Sequence, residues 1–204
     1  MKALITGASR GIGAAVATRL GLAGWEIKDC SRTSGVDVRD GFKFAQTIDR
    51  FVPDVLVYSA GVVHPGPFIS SSAEHWEEEF AVNLRGAVAA VQKFVLARVA
   101  QGGCIVLIAS TAGTRPSPGW AGYAASKAAL INFGLTVAVE LAPAFRVYTL
   151  APGRCATALR QQLAPDEDPS TIMQPDSVAR VVETCINDTD GVLAGQLIEV
   201  KRRP

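Results

Sequence analysis

Apolar and polar positions along this chain repeat in two periods. Short apolar-rich runs at residues 3–6, 25–30, 55–59, 104–109, 146–150 and 196–200 read as strands. Between them, apolar residues recur at three- and four-residue spacing. Val16 and Leu20 mark a helix over 13–23, and Phe44, Ile48 and Phe51 mark one that Pro53 ends. Ser72 is placed to cap a helix carrying Trp76, Phe80 and, further on, Val91 and Val95. A helix over 123–141 ends at Pro143, and another lies near 177–186. Strand and helix alternating from end to end predict an α/β fold: a doubly wound parallel sheet in three layers. No repeat, low-complexity stretch or linker interrupts it, so residues 1–204 are expected to form one domain.

One place breaks the pattern. A parallel strand beside the second one needs a crossover of about a dozen or more residues. Only Thr33, Ser34, Gly35 and Val36 separate Arg32 from Asp37. The helical crossover is therefore expected to be missing, leaving 25–30 as the sheet edge. Glu26, Lys28 and Asp29 would place charges along that edge and discourage pairing with another chain. Asp37 and Val38 are expected in a loop or a very short extended piece.

Composition narrows the function. Hydrophobic residues are 49% and charged residues 19%, with a net charge of +1. That balance gives no electrostatic reason to expect nucleic acid or an anionic membrane as a partner. The closing Lys201-Arg202-Arg203 reads as a solvated tail. No apolar run looks long enough to span a membrane, and no signal peptide precedes the first strand. Cys30, Cys104, Cys155 and Cys185 are scattered without metal spacing, so no metal site is expected and a reduced, cytoplasmic setting fits.

The chemistry concentrates in two motifs. Thr6-Gly-Ala-Ser-Arg-Gly-Ile-Gly13 lies between a strand and a helix. Gly7 permits a tight turn, Gly11 lets backbone approach a pyrophosphate, and Gly13 lets the helix pack closely. Ser9, Arg10 and Ile12 stand between them, at a helix N-terminus whose free N–H groups favour phosphate. Downstream, Tyr123 and Lys127 lie at i, i+4 on one helix face, with Ser110 at a strand end. A lysine ammonium near a phenol should lower its pKa, so that Tyr123 can exchange a proton with a substrate oxygen.

This spacing resembles the short-chain dehydrogenase/reductase family, and the further motifs follow in that family's order. The resemblance implies a Rossmann-type fold, a nicotinamide dinucleotide, and hydride transfer between NADPH and a carbonyl or alcohol. Ser110 then orients the substrate oxygen, Asn83 holds a water in a proton relay reaching Lys127, and Lys127 contacts the nicotinamide ribose. Ser31 occupies the position where NAD-using relatives carry an acid, and Arg32 follows it. With Arg10 this charge pattern favours NADP over NAD, against which Asp29 stands two residues early. Asp37 and Val38 resemble the pair at the adenine. Ser59, Ala60 and Gly61 follow Tyr58 where the family has Asn-Asn-Ala-Gly, so both asparagines are replaced. Pro152, Gly153, Cys155 and Thr157 match the segment under the nicotinamide.

Substrate would sit under residues 158–173, walled by Trp120, Val62, Val63 and Leu159. His75 reads as a surface residue. His64 reads first as a loop residue, with a substrate contact as the second reading. The family's habit of pairing the helices that carry Asn83 and Tyr123 implies a homodimer or homotetramer. Two rivals share the fold: a non-catalytic NADP-binding regulator, and a sugar-nucleotide epimerase or dehydratase. The Ser110, Asn83, Tyr123 and Lys127 set speaks against the first, and the absence of a second substrate domain speaks against the other.

Overall fold

The computed structural model describes residues 1–202; Arg203, part of the basic tail, lies outside the described residues. The chain runs β1 (Lys2–Thr6), α1 (Gly11–Leu22), β2 (Glu26–Cys30), α2 (Gly41–Phe51) and β3 (Val55–Tyr58). It continues through α3 (Ala73–Phe80), α4 (Gly86–Ala97), β4 (Gly103–Ile108) and α5 (Ala121–Leu141). It closes with β5 (Phe145–Pro152), α6 (Ala158–Leu163), α7 (Pro175–Asn187) and β6 (Leu197–Val200).

All pairings are parallel, in the order β2-β1-β3-β4-β5-β6. The strands are buried on both faces, which is why they read as unbroken apolar runs. Their side chains still alternate. Leu4 and Leu56 face α2, α4 and α5, where Phe44, Ile48, Phe94 and Leu130 lie. Ala3, Ile5 and Val57 face α1 and α7, where Val16, Leu20, Val182 and Ile186 lie. The three-layer Rossmann-type α/β fold expected from the alternation is the fold observed.

Among the described residues, no strand lies outside β2. The short segment after it holds only one 3-10 turn, Arg32–Ser34, capped by the Ser31 hydroxyl. Asp37 and Val38 follow in a loop, and α2 begins at Gly41 with Asp40 as its cap. On the open edge, Glu26 and Lys28 are exposed, as a protected edge strand requires.

Two expectations change and one is refined. The helix begun at Ser72 is interrupted by a π-helical turn, Ala81–Arg85, before α4. The tail is exposed but tethered: Lys201 pairs with Glu199, and Arg202 donates to the Thr171 carbonyl at 2.9 Å. Finally, the helical runs Ala73–Ala97 and Ala121–Leu141 are long and apolar enough to cross a membrane, with mean hydropathy 1.3 in their best windows. Here they lie over one face of the sheet, where contact with the strands demands the same apolar character. All four cysteines are free and buried.

The π-helical turn has a partner in β3. Tyr58 has no exposed surface, and its hydroxyl donates to the Val82 carbonyl at 2.5 Å. It thus ties the strand to the turn that carries Asn83. Tyr58→Phe would leave that buried carbonyl short of a donor at almost unchanged volume. It should lower stability by about 1–3 kcal/mol. Urea denaturation reads this directly, and an unchanged midpoint would mean the bond contributes nothing.

Candidate active site

Parallel strands bring all their C-terminal ends to one side of the sheet, where α/β folds place ligands. Two adjoining clefts open there, of about 390 and 320 Å³. Tyr123 and Thr157 line both.

The larger cleft starts at the glycine turn. Gly7 and Gly11 have φ of 66° and 59°, a region that side chains disfavour. A Cβ at Gly13 would collide with the Gly7 carbonyl oxygen. Gly13 therefore lets α1 press on the turn itself rather than on the sheet, and it lines neither cleft. No side chain caps α1, so the N–H groups of its first turn face the cleft unclaimed by any side-chain cap. Ser9, Arg10, Gly11 and Ile12 form this wall. Thr6, which is fully buried, fixes the far side by accepting from the N–H groups of Ser59 and Ala60, both at 3.0 Å.

Ser31, Arg32, Asp37, Val38, Ser59, Ala60 and Gly61 also line the larger cleft. Arg10 and Arg32 are exposed and form no ion pair among the described residues. The Ser31 hydroxyl is turned inward, donating to Asp29 Oδ2 at 2.9 Å. Asp29 does not line the cleft, and its Oδ1 is buried without a partner among the described residues. Arg39, which the sequence reading passed over, lines the cleft too. It grips Asp37 through Nε and Nη2 at 3.0 and 2.6 Å. This holds the Asp37 carboxyl below the usual carboxylate range and engages both its oxygens. The Asp-x-Arg spacing in a turn was the available signal.

Ser110 lines the smaller cleft at the end of β4. Its oxygen accepts from the Ala112 N–H at 3.1 Å, leaving its own hydrogen for the Tyr123 oxygen or a bound ligand. Tyr123 lies in the first turn of α5, and Lys127 one turn on. Lys127 is buried, donates from Nζ to the Ile108 carbonyl at 2.9 Å, and lies 5.9 Å from the Tyr123 ring centroid. Burial pulls its pKa down to about 8.

Here an expectation is corrected. Burial raises the Tyr123 pKa above the ordinary phenol value, with only partial opposition from a hydrogen bond to Ser110. Burial, and not the neighbouring ammonium, decides the direction. Glu79, a buried carboxylate, adds to the rise.

Asn83 lies behind the walls of the site. It has no exposed surface and lines neither cleft. Its Oδ1 accepts from the Val62 N–H at 2.9 Å; its Nδ2 donates to the Val62 carbonyl at 3.0 Å and to Ser126 Oγ at 2.9 Å. Both side-chain hydrogens are committed, so this side chain has no donor left for a water.

Pro152, Gly153 and Cys155 line the smaller cleft with Ser110. The Cys155 side chain packs with Met173 and Val178, away from solvent. Around Cys155 the chain is stitched to the 158–173 segment, as Ala156 N–H donates to the Met173 carbonyl at 2.8 Å. Val63, Trp120, Leu159 and Tyr123 gather in one apolar cluster, while Val62 faces the larger cleft. His64 lines neither cleft. Its ring stacks on the exposed His75 at 4.1 Å and meets Glu78 at 2.9 Å, while its N–H donates to Glu79 at 2.8 Å. The loop reading of His64 therefore stands.

Comparison with known proteins identifies the family. The family model for short chain dehydrogenases matches residues 36–168, a span that holds Asn83, Ser110, Tyr123 and Lys127 but not the glycine turn. The 2,3-dihydro-2,3-dihydroxybenzoate dehydrogenase of Escherichia coli K12 is 34% identical over 181 residues, covering 80% of this chain and 73% of that protein. An uncharacterised NAD-dependent oxidoreductase of Mycobacterium tuberculosis H37Rv is 31% identical, covering 82% and 70%. A solved structure from Beutenbergia cavernae, with bound NADP at low occupancy, superposes with TM-score 0.90 at 28% identity, covering 98% and 94%. The chain belongs to the short-chain dehydrogenase/reductase family.

The buried lysine gives a direct test of this environment. With lysine side chains isotopically labelled, NMR should find Lys127 losing its proton near pH 8, well below the ordinary 10.5. A midpoint at or above 10.5 would mean that the Ile108 carbonyl outweighs burial.

Proposed function

We propose that this oxidoreductase uses NADPH to interconvert a carbonyl and an alcohol, with Ser110 and Tyr123 handling the oxygen. The observation that carries the reading is the shared wall. Tyr123 borders both clefts, while Lys127 borders one and Ser110 the other. A dinucleotide held along the larger cleft would thus end beside the two hydroxyls.

Gly7, Ser9, Gly11 and Ile12 would hold the pyrophosphate, through backbone and the uncapped start of α1. Asp37 and Val38 would border the adenine, Ser59 to Gly61 the sugar, and Pro152, Gly153, Cys155 and Thr157 the nicotinamide. The bound cofactor would supply or accept the hydride. In the reducing direction the Tyr123 hydroxyl gives its proton to the substrate oxygen, and Ser110 donates a hydrogen bond to the same atom. A phenol held above its ordinary pKa stays protonated at neutral pH, which suits a proton donor. Lys127 carries the positive charge beside the phenolate that forms. Asn83 acts as a positioning residue, holding Val62 against Ser126.

Support for NADPH over NADH comes from two unpaired guanidiniums, Arg10 and Arg32, beside a Ser31 whose hydroxyl is turned inward. The missing crossover leaves that end open, so these contacts should also be sensitive to salt. Support for association comes from the exposed apolar residues Leu96 on α4 and Val139 on α5. A homodimer or homotetramer through these helices should appear as a multiple of the 21.4 kDa chain in light scattering. A single-chain mass at micromolar concentration would refute it.

One paired experiment tests chemistry and cofactor choice. Tyr123→Phe should lower kcat by roughly 10² or more while NADPH still binds. Turnover near that of the parent would remove Tyr123 from the mechanism. Arg32→Ala should weaken NADPH far more than NADH, because only NADPH carries the 2′-phosphate. Equal loss for both cofactors would mean that Arg32 does not read that phosphate.

A further inference from the structure

The smaller cleft has an unusual charge. Three guanidiniums line it, Arg115, Arg154 and Arg160, and no carboxylate does. Behind the wall, Glu167 accepts from Arg160 at 2.6 and 2.9 Å and from Arg154 at 3.0 Å. One carboxylate thus fixes two arginines and neutralises only one. Arg160 is held further by the Trp120 ring, 5.6 Å from its guanidinium carbon. Arg115 is exposed and has no ion pair among the described residues. Glu199 feels its charge, but that carboxylate is taken by Lys201 and by the Thr114 hydroxyl. The wall therefore carries a net charge of about +2 beside Ser110 and Tyr123, in a chain whose total is +1.

We propose that the substrate is an anion, a keto acid or hydroxy acid whose carboxylate is read by Arg115. This rests on the oxidoreductase reading above and names the substrate class of the same site. A guanidinium presents paired N–H donors that match a carboxylate in one plane. Trp120, Leu159 and Leu163 supply an apolar wall for the body of the molecule. With the nicotinamide on the Pro152–Cys155 side of this cleft of about 320 Å³, the Arg115 side leaves room for a small compound. Fixing Arg154 and Arg160 in advance lowers the ordering cost of binding an anion beside them. The competing use of this charge is to hold a phosphate of the cofactor itself, and the test separates the two.

The probes are benzoylformate and 4-oxo-4-phenylbutanoate, each against its neutral methyl ester, with NADPH oxidation as the readout. The parent protein should prefer at least one acid over its ester by roughly 10-fold or more in kcat/KM. Arg115→Gln should erase that preference, mainly through KM for the acid, as loss of a hydrogen bond to a charged group predicts. Acid and ester used equally by the parent would overturn the proposal. So would a variant that keeps the preference for the acid and shows a raised KM for NADPH instead. If neither member of either pair consumes NADPH, the oxidoreductase reading fails for these ketones, and calorimetry of the two acids binding to the NADPH complex decides the rest. Acid binding that Arg115→Gln abolishes would sustain the anion site by itself; no binding would overturn it.

Discussion

A single buried amide connects the segments that form the site. Asn83 holds the loop after β3 through both backbone groups of Val62, and reaches α5 through Ser126. Ser126 lies between Tyr123 and Lys127, and its hydroxyl donates to the Tyr123 carbonyl at 2.7 Å. The π-helical turn sets the local backbone from which Asn83 projects, and Tyr58 ties that turn to β3. An unsatisfied group in this network costs about 1–3 kcal/mol, so its members are fixed together. The tyrosine and lysine are therefore oriented from behind, by Asn83, Ser126 and Tyr58, which line neither cleft.

Glu79 extends the same support toward the cleft mouth. It is buried, accepts from the His64 N–H, and lies against Gly122 at the start of α5. A side chain at Gly122 would collide with its carboxylate. A negative group near a helix N-terminus is favourable, and α5 has no side-chain cap of its own at Trp120. That carboxylate also opposes ionisation of Tyr123. Helix geometry and the phenol's protonation state are thus coupled through one residue.

The two clefts share an electrostatic plan that net charge conceals. Arg10 and Arg32 border one, where Arg39 is spent on Asp37 and Glu78, and Arg115, Arg154 and Arg160 border the other. Fixed positive charge along a concave, partly apolar wall focuses potential on anionic ligands. The shortened segment after β2 contributes to this plan, because it replaces a helical crossover with a turn that carries Arg32 at the cleft edge.

Much of this was legible in the sequence because it depends on local rules. Strand runs, helix faces and the cap at Ser72 follow from periodicity and backbone hydrogen bonding. The missing crossover followed from counting residues, since four cannot cross a sheet. Gly7, Gly11, Tyr123 and Lys127 announced themselves by spacing. What the sequence could not decide was where polar side chains spend their hydrogen bonds. Asn83 was legible as a site residue but not as an amide committed to Val62 and Ser126. Tyr58 was visible as a replaced asparagine, yet its bond to Val82 required the π-helical turn to exist. The Tyr123 pKa was inferred to fall from a lysine at i, i+4, but the tertiary structure buries both and turns Lys127 toward Ile108. Spacing along one helix fixes which groups are neighbours; only packing across several elements fixes their solvation and their partners, and those set the charge each group carries.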